Sequence, residues 1–215
     1  MKKSFVVGLL LLSSLSLAAC GSQSANKENT STATSTVKKA KNYKYFVTDN
    51  VFHENKGTVT INKVVGGNVK NKRVFFLDEM VTNNSNKEIK VSSINFLEIV
   101  AYQKSTDGSQ EIKLDDQATP SDLFDTTDDS TGVQTDNYNL ANSIVDRQNN
   151  KLLPGKSAHI LAEFGYTLDN TKNNVKLELV NQNDTDPEVS VNPHKNSYTV
   201  NIADINNNQL NLADY

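Results

Sequence analysis

Alternation of apolar and polar residues dominates the chain after residue 42 and predicts β-strands. Residues 58–61 read Thr-Val-Thr-Ile, and a period of two is typical of a strand with one buried face. The same period recurs in the segments 158–166, 175–180 and 198–202, and one or two more strands fall within 89–102. Residues 74–81 are largely apolar on both faces, which predicts a strand at the centre of a sheet.

Helical periodicity is weak, so the pattern as a whole favours an all-β fold. The best helical candidate is 138–145, where Leu140 and Ile144 share a face. Turn-forming residues separate the strands at Asn83-Asn84-Ser85-Asn86 and at Pro154-Gly155-Lys156-Ser157. Six or seven short strands between such turns predict an antiparallel β-sandwich.

The first twenty residues have the anatomy of a secretory signal. Two lysines at positions 2 and 3 precede an apolar run over 5–12, which is too short for a transmembrane helix. The segment Leu17-Ala18-Ala19-Cys20 resembles a bacterial lipobox. This resemblance implies cleavage after Ala19 and a diacylglyceryl group on the thiol of Cys20. Two acyl chains suffice to hold a protein on a bilayer.

Composition then limits the possible partners and chemistry. Cys20 is the single cysteine, so its lipidation would leave no thiol for disulfide or thiolate chemistry. Cleavage leaves 20 basic against 25 acidic side chains, a formal charge of −5. Anionic headgroups repel such a domain, and it has no cationic excess with which to bind nucleic acid. We therefore expect contact with the membrane through the lipid alone, and no nucleic-acid partner.

The predicted organisation has four parts, beginning with the signal peptide at 1–19. The lipidated Cys20 and a tether occupy 20–42, because Ser, Thr, Asn and Lys dominate there and cannot form a core. Such a tether reaches roughly 25 Å. The β-sandwich follows at 43–181, and an extension at 182–215 could add an edge strand or be only partly ordered. The predicted location is the extracytoplasmic face of the cell membrane.

The order of strands and turns over 56–181 resembles a known domain family. The block 72–91 joins two strand candidates through the Asn83-Asn84-Ser85 turn, and the Pro154-Gly155-Lys156-Ser157 turn leads into a strand ending Tyr166-Thr167-Leu168. This order is similar to the immunoglobulin-like, telokin-like domain of uncharacterised lipoproteins from Gram-positive bacteria. The resemblance implies an immunoglobulin-like sandwich and a surface location, and it implies no catalytic residues.

An acidic loop supplies the candidate metal ligands Asp125, Asp128 and Asp129. No basic residue occurs between Lys113 and Arg147, and Ca²⁺ prefers clustered carboxylate and carbonyl oxygens. The loop lacks the register of an EF-hand, because its sixth position is not Gly and no Glu closes it. Calcium is therefore the one candidate cofactor. The alternative is a solvated, mobile loop that keeps the surface anionic.

Catalytic motifs are weak throughout the chain. Asp78/Glu79 and Asp115/Asp116 are formal candidates for the carboxylate pair of a glycosidase, but no aromatic platform lies nearby in the sequence and Trp is absent. The three histidines, His53, His159 and His194, lie far apart and show no metal-ligand spacing. We therefore expect a protein that is not an enzyme.

These observations leave three functions open. A non-enzymatic binding or interaction module fits a tethered acidic sandwich, with a surface protein or a cell-wall polymer as its partner. A solute-capturing lipoprotein of a transporter would share the anchor, although two-lobed receptors need more residues and helices. A cell-wall hydrolase is the third alternative.

Overall fold

Antiparallel β-sheets form most of the regular structure in the computed structural model, which describes residues 42–94, 97–181 and 189–215. The strands are β1 (Phe46–Thr48), β2 (Val51–His53), β3 (Gly57–Val69), β4 (Lys72–Asn83), β5 (Ile89–Lys90), β6 (Glu98–Lys104), β7 (Glu111–Lys113), β8 (Asp115–Ala118), β9 (Lys151–Leu152), β10 (Ser157–Leu161), β11 (Gly165–Thr167), β12 (Val175–Val180) and β13 (Ser197–Val200). The helices are α1 (Val133–Asp146) and α2 (Ile202–Asn207), with short 3₁₀ turns at Val91–Ser93, Pro120–Leu123, Arg147–Asn149 and Leu212–Asp214.

The strands form two principal sheets. The larger sheet has the order β1-β2-β3-β4-β11-β8, and β10 also pairs with β4. The smaller sheet has the order β13-β12-β6-β7, and β5 pairs with β9 in a separate ribbon. The all-β antiparallel sandwich predicted from the period of two is confirmed.

The main core lies between the two sheets, because alternate residues of each strand point inward. It contains Phe75 and Leu77 of the larger sheet and Ile99 and Leu177 of the smaller one. A second core covers the opposite face of the larger sheet, where Phe76 packs with residues of α1. The larger sheet is therefore buried on both faces, which explains why the central strand β4 is apolar in both phases.

Helix α1 is longer than the sequence pattern indicates. The predicted segment 138–145 lies within it, but α1 begins at Val133. Ala141 and Ile144 are its buried residues. A residue that precedes the helix caps its first turn: the Oδ2 atom of Asp129 accepts a hydrogen bond from the Thr135 amide at 2.7 Å. A sequence period cannot reveal such a cap, since it measures only the apolar face.

The described part of the extension, 189–215, lies against the sandwich. Strand β13 pairs with β12, and α2 packs on β3 through the fully buried Ile205. The Gly66 amide donates to the Asn208 carbonyl at 2.7 Å. A Cβ atom at Gly66 would lie 2.4 Å from the Ile205 carbonyl oxygen, so this close approach requires glycine.

Candidate functional site

Two adjacent acidic residues are buried in the middle of β4. Asp78 is 1% exposed and Glu79 is 2% exposed. Successive residues of a strand point to opposite faces, so Glu79 lies in phase with Phe75 and Leu77 of the main core, whereas Asp78 lies in phase with Phe76 of the second core. The two carboxyl groups therefore cannot act together on one bond, and the interpretation of Asp78/Glu79 as a glycosidase pair is wrong.

The strands on both sides of β4 lose regular pairing at this point. On β3, Ile61 pairs with Glu79 and Lys63 pairs with Asp78, which leaves Asn62 as an extra residue. On the other side, Leu161 pairs with Asp78 and Tyr166 pairs with Phe75. Residues 162–165 consequently lie opposite only two residues of β4. Bulges of this kind are frequent beside functional sites, because they redirect side chains and open the sheet.

Asp78 has partners on every side of its carboxylate. The Nε2 atom of His159 lies 2.8 Å from Oδ1, and the Asn62 amide donates to the same oxygen at 3.0 Å. The Tyr215 hydroxyl donates to Oδ2 at 2.8 Å, and the Lys63 ammonium lies 3.8 Å from it. The carboxylate is thus fully satisfied by the chain itself. Its role is to fix the last residues of the sequence onto the larger sheet.

Glu79 has no such partners. Its side chain makes no hydrogen bond or ion pair with any residue in the described ranges. Its side chain lines a crevice of about 280 Å³, which we call the Glu79 crevice. Burial, together with the nearby Asp78 charge, raises the pKa of Glu79 to about 8. The group is therefore protonated at neutral pH unless a cation approaches it.

Further carboxylates line the Glu79 crevice from other elements. They come from Glu98 of β6, Asp116 of β8 and Glu163 of the bulge at 162–165. The Oε1 atom of Glu98 lies 3.8 Å from the Lys113 ammonium, but its Oε2 atom is buried and has no partner among the described residues. Among the lining residues that the structure describes there is no Lys, Arg or His. A concave, uniformly acidic surface concentrates cations.

Two aromatic residues complete the Glu79 crevice. Phe164 is 49% exposed, although a Phe side chain on a soluble domain is normally buried. The Tyr166 hydroxyl donates a hydrogen bond to the Ile99 carbonyl. Burial and the nearby Glu79, Asp116 and Glu98 charges raise the pKa of Tyr166, so its hydroxyl stays neutral.

Two of the predicted calcium ligands accept hydrogen bonds from nearby backbone amides. Asp125 accepts a hydrogen bond from the Thr127 amide at 2.9 Å, and Asp129 accepts one from the Thr135 amide. These backbone donors lower the pKa of both carboxyls. Asp128 is exposed. In the parts of the chain that the structure describes, no three His, Cys, Asp or Glu side chains approach closely enough to hold a metal ion. Calcium binding by this loop stays a prediction.

Other residues singled out from the sequence have local roles or lie elsewhere. His53 stacks on Phe46 with 4.1 Å between ring centroids, and burial lowers its pKa. Leu153, Gly155 and Lys156 form the predicted β-turn, in which the Lys156 amide donates to the Leu153 carbonyl at 3.1 Å. Cys20 and the tether lie outside the described residues. No helix in the described ranges has the length and apolar character needed to cross a membrane.

Sequence reasoning did not identify the Glu79 crevice. One signal was available in the sequence: Glu79 lies inside a segment that is otherwise apolar on both faces, and a Glu is rarely buried unless it has a partner. The remaining lining residues were not accessible to that reasoning. Glu98, Asp116 and Glu163 belong to separate elements, and only the sheet topology brings them to one opening.

Comparisons with known proteins identify a family and two similar structures. The model of the family described as "Domain of unknown function (DUF5067)" matches residues 30–181. A solved structure of a "putative lipoprotein" from Staphylococcus aureus subsp. aureus NCTC 8325 is 15% identical, with a TM-score of 0.47, and covers 76% of this chain and 96% of its own. An NMR structure of a protein from Enterococcus faecalis is 14% identical, with a TM-score of 0.40, and covers 64% of this chain and 82% of its own. No curated protein matches the chain.

Proposed function

We propose, for a chain that belongs to the DUF5067 family of domains of unknown function, a non-enzymatic binding protein whose binding site is the Glu79 crevice. The chain is held on the extracytoplasmic face of the cell membrane by a lipid on Cys20. Its sandwich, of the immunoglobulin-like type that the strand order suggests, presents the crevice to a surface protein or a cell-wall polymer.

One observation carries the assignment of the site. The Glu79 side chain is 2% exposed, has no partner within the described chain, and lines the crevice. A buried carboxyl group without a partner destabilises a fold. Asp78, the next residue along the strand, is buried to the same extent and is fully paired. This contrast supports a role for Glu79 toward a molecule that enters the crevice.

The lipobox supports the anchoring half of the proposal. A lipid on Cys20 and a tether of about 22 residues would place the domain within roughly 25 Å of the bilayer surface. Partners in that zone are surface proteins and wall polymers. The negative charge of the processed chain would keep the domain itself away from anionic headgroups.

Photo-crosslinking in intact cells tests the site. A benzoylphenylalanine residue replaces Phe164, which lines the crevice and is 49% exposed, in one full-length variant. In the matched control it replaces Leu153, which is 55% exposed and does not line the crevice. We expect an adduct at position 164 that is absent at position 153. Identical adducts at both positions, or none at either, would contradict the proposal, and an adduct with a membrane permease would favour solute capture.

The raised pKa of Glu79 favours one second candidate, a cell-wall hydrolase. A carboxyl group that is protonated near neutral pH is in the state that a general acid needs, and a second carboxylate is required across the bond. Glu98 and Asp116 line the same crevice. Incubation of the full chain with cell-wall fragments, followed by chromatography, tests this. Release of sugars that Glu79→Gln abolishes would favour the hydrolase, and unchanged fragments would reject it.

A further inference from the structure

The charged groups at the Glu79 crevice all have the same sign. Four carboxyl groups line it, from Glu79, Glu98, Asp116 and Glu163, and no basic side chain among the described lining residues balances them. Low-dielectric walls strengthen the field inside a cleft of this kind. An anionic ligand would be repelled, and a neutral ligand would leave the carboxylates uncompensated.

Glu79 gives independent evidence of a missing positive partner. Its carboxyl group is buried, lines the crevice and has no donor among the described residues. The Oε2 atom of Glu98 lies in the same lining and likewise lacks a partner within the described ranges. A ligand group with several N–H donors and a positive charge would satisfy both atoms.

The spacing of the carboxyl groups distinguishes an organic cation from a metal ion. Ca²⁺ draws its oxygen ligands to roughly 2.3–2.6 Å from one point. In the described part of the chain no three acidic or histidine side chains converge in that way. The carboxylates instead lie around an opening of about 280 Å³, near the lower end of the range for small-ligand pockets.

The aromatic side chains fit the apolar part of the same ligand. Phe164 is half exposed at the crevice, and the neutral ring of Tyr166 lies in its lining. Aromatic faces attract ammonium and guanidinium groups and also contact methylene chains. A lysine-like group offers both features, since it carries an ammonium on an alkyl stem.

From these observations we infer that the Glu79 crevice binds an organic cation, namely a primary ammonium on a short alkyl chain. The inference rests on the proposed function and specifies its ligand chemistry. A free amine and a lysine side chain of a partner protein share this chemistry. In either case the Glu79 carboxyl group releases its proton to the solvent, and the ammonium pairs with the resulting carboxylate.

Binding should therefore strengthen with pH. Asp78 is the charged neighbour of Glu79 on the same strand and points to the opposite face. The groups across the crevice are Tyr166 of β11, Asp116 of β8, Glu163 of the bulge and Glu98 of β6 with its partner Lys113. Apart from the Lys113 ammonium, which pairs with Glu98, these groups are acidic or neutral, so none of them favours the Glu79 anion. The proton leaves when the pH rises or when a cationic ligand stabilises the carboxylate. With a pKa of about 8, the ionised fraction of Glu79 rises about 25-fold from pH 6.5 to pH 8.5, and the affinity should rise with it.

Ligand-observed saturation-transfer NMR on the full chain in detergent micelles tests the inference. The probes are pentane-1,5-diamine, its neutral analogue pentane-1,5-diol, the tripeptide Ala-Lys-Ala and Ca²⁺ as a competitor. We expect binding of the diamine and the tripeptide, none of the diol, and an affinity for the diamine that rises from pH 6.5 to pH 8.5. Glu79→Gln should weaken diamine binding at least tenfold. Glu88→Gln, an exposed acid that pairs with Lys151 outside the crevice, should leave it unchanged.

The outcomes separate the inference from the proposed function. Equal, Glu79-dependent binding of the diol and the diamine would overturn the cationic chemistry and leave the site in place. Full displacement of the diamine by Ca²⁺ at equimolar concentration would replace the organic cation with a metal ion. No binding of any probe, together with no adduct from position 164, would overturn both proposals. The melting temperature of each variant verifies that it is folded.

Discussion

At the residue scale, the contrast between Asp78 and Glu79 shows that the surroundings of a buried carboxyl group, and not its residue type, determine its role. Both are carboxylic acids at the centre of one strand, and both are almost completely buried. Asp78 has hydrogen-bond partners from β3, β10 and the last residues of the chain, so its buried carboxyl group is fully satisfied. Glu79 lies among apolar core residues and faces a crevice, so its anion is unfavourable.

This difference predicts how the free energy of unfolding depends on pH. The pKa of Glu79 is raised from its ordinary 4.5 to about 8 in the folded chain. Between these values the unfolded chain has lost the proton while the folded chain retains it, so stability falls as pH rises, by up to about 1.4 kcal/mol per pH unit. Below pH 4.5 and above pH 8 the contribution is constant. Glu79→Gln removes it.

Urea unfolding of the wild type and Glu79→Gln from pH 4.5 to pH 9 measures this effect. We expect the difference in unfolding free energy between them to shift in favour of the variant up to about pH 8 and to level off above it. Glu88→Gln is the control, because Glu88 is exposed and pairs only at the surface. Its profile should run parallel to that of the wild type. Parallel profiles for all three chains would contradict the burial assigned to Glu79.

The sequence contained the residues of this contrast but not their roles. Strand alternation alone places neighbouring residues on opposite faces, so the separation of Asp78 from Glu79 was predictable once 74–81 was recognised as a strand. Which of the two acquires donors was not predictable. It depends on His159 and Tyr215, which lie about 80 and 140 residues later in the chain.

At the element scale, periodicity predicted the strands and missed the irregularities between them. The central position of β4 follows from its two apolar phases, and the structure pairs it on both sides. The bulge at Asn62 and the extra residues at 162–165 leave no periodic trace, because a bulge is defined by the partner strand. The crevice depends on these bulges, so it was out of reach of single-sequence reasoning.

The start of α1 gives a prediction at this scale. Gly132 precedes the helix with a left-handed φ of 75° and offers no side chain as a cap. Asp129 supplies the missing acceptor for the Thr135 amide. Asp129→Ala should therefore accelerate hydrogen exchange at residues 133–136 roughly fivefold. Asp128→Ala removes the same charge one residue away and should have little effect. Equal acceleration in both variants would show a charge effect rather than a cap.

The contact between Arg73 and α2 gives a second prediction. The Arg73 guanidinium donates to the Ile205 carbonyl at 2.6 Å and to the Asn206 carbonyl at 3.3 Å. Hydrogen bonds from a charged donor contribute about 2 kcal/mol. Arg73→Gln should therefore increase amide exchange over 202–208 and leave the amides of β4 protected. Lys72→Gln makes the same charge change at an exposed neighbour, and it should not alter α2. Protection of α2 in both variants would show that Ile205 burial alone holds the helix.

At the scale of the whole molecule, the chain combines a predicted anchor with a domain whose site faces solvent. The larger sheet is covered on one face by the smaller sheet and on the other by α1 and the last residues. At 162–165 this covering is incomplete, and the Glu79 crevice opens there. One opening of the sandwich thus lies at Glu79, whose carboxyl group has no partner among the described residues.

The anchor itself yields the last prediction. Full-length wild type, expressed in a Gram-positive bacterium with a clickable palmitate analogue, should carry the label, and its mass should correspond to residues 20–215 plus lipid. Cys20→Ala should carry no label, because the chain has no other thiol. Ser22→Ala alters the same segment and keeps Cys20, so it should be labelled like the wild type. A single acyl chain binds a bilayer only reversibly, whereas two chains hold a protein stably. The processed wild type, with its diacylglyceryl group, should therefore also resist extraction by high salt. Label on Cys20→Ala would place the lipid on another residue, and an unlabelled wild type would show that the chain carries no lipid anchor.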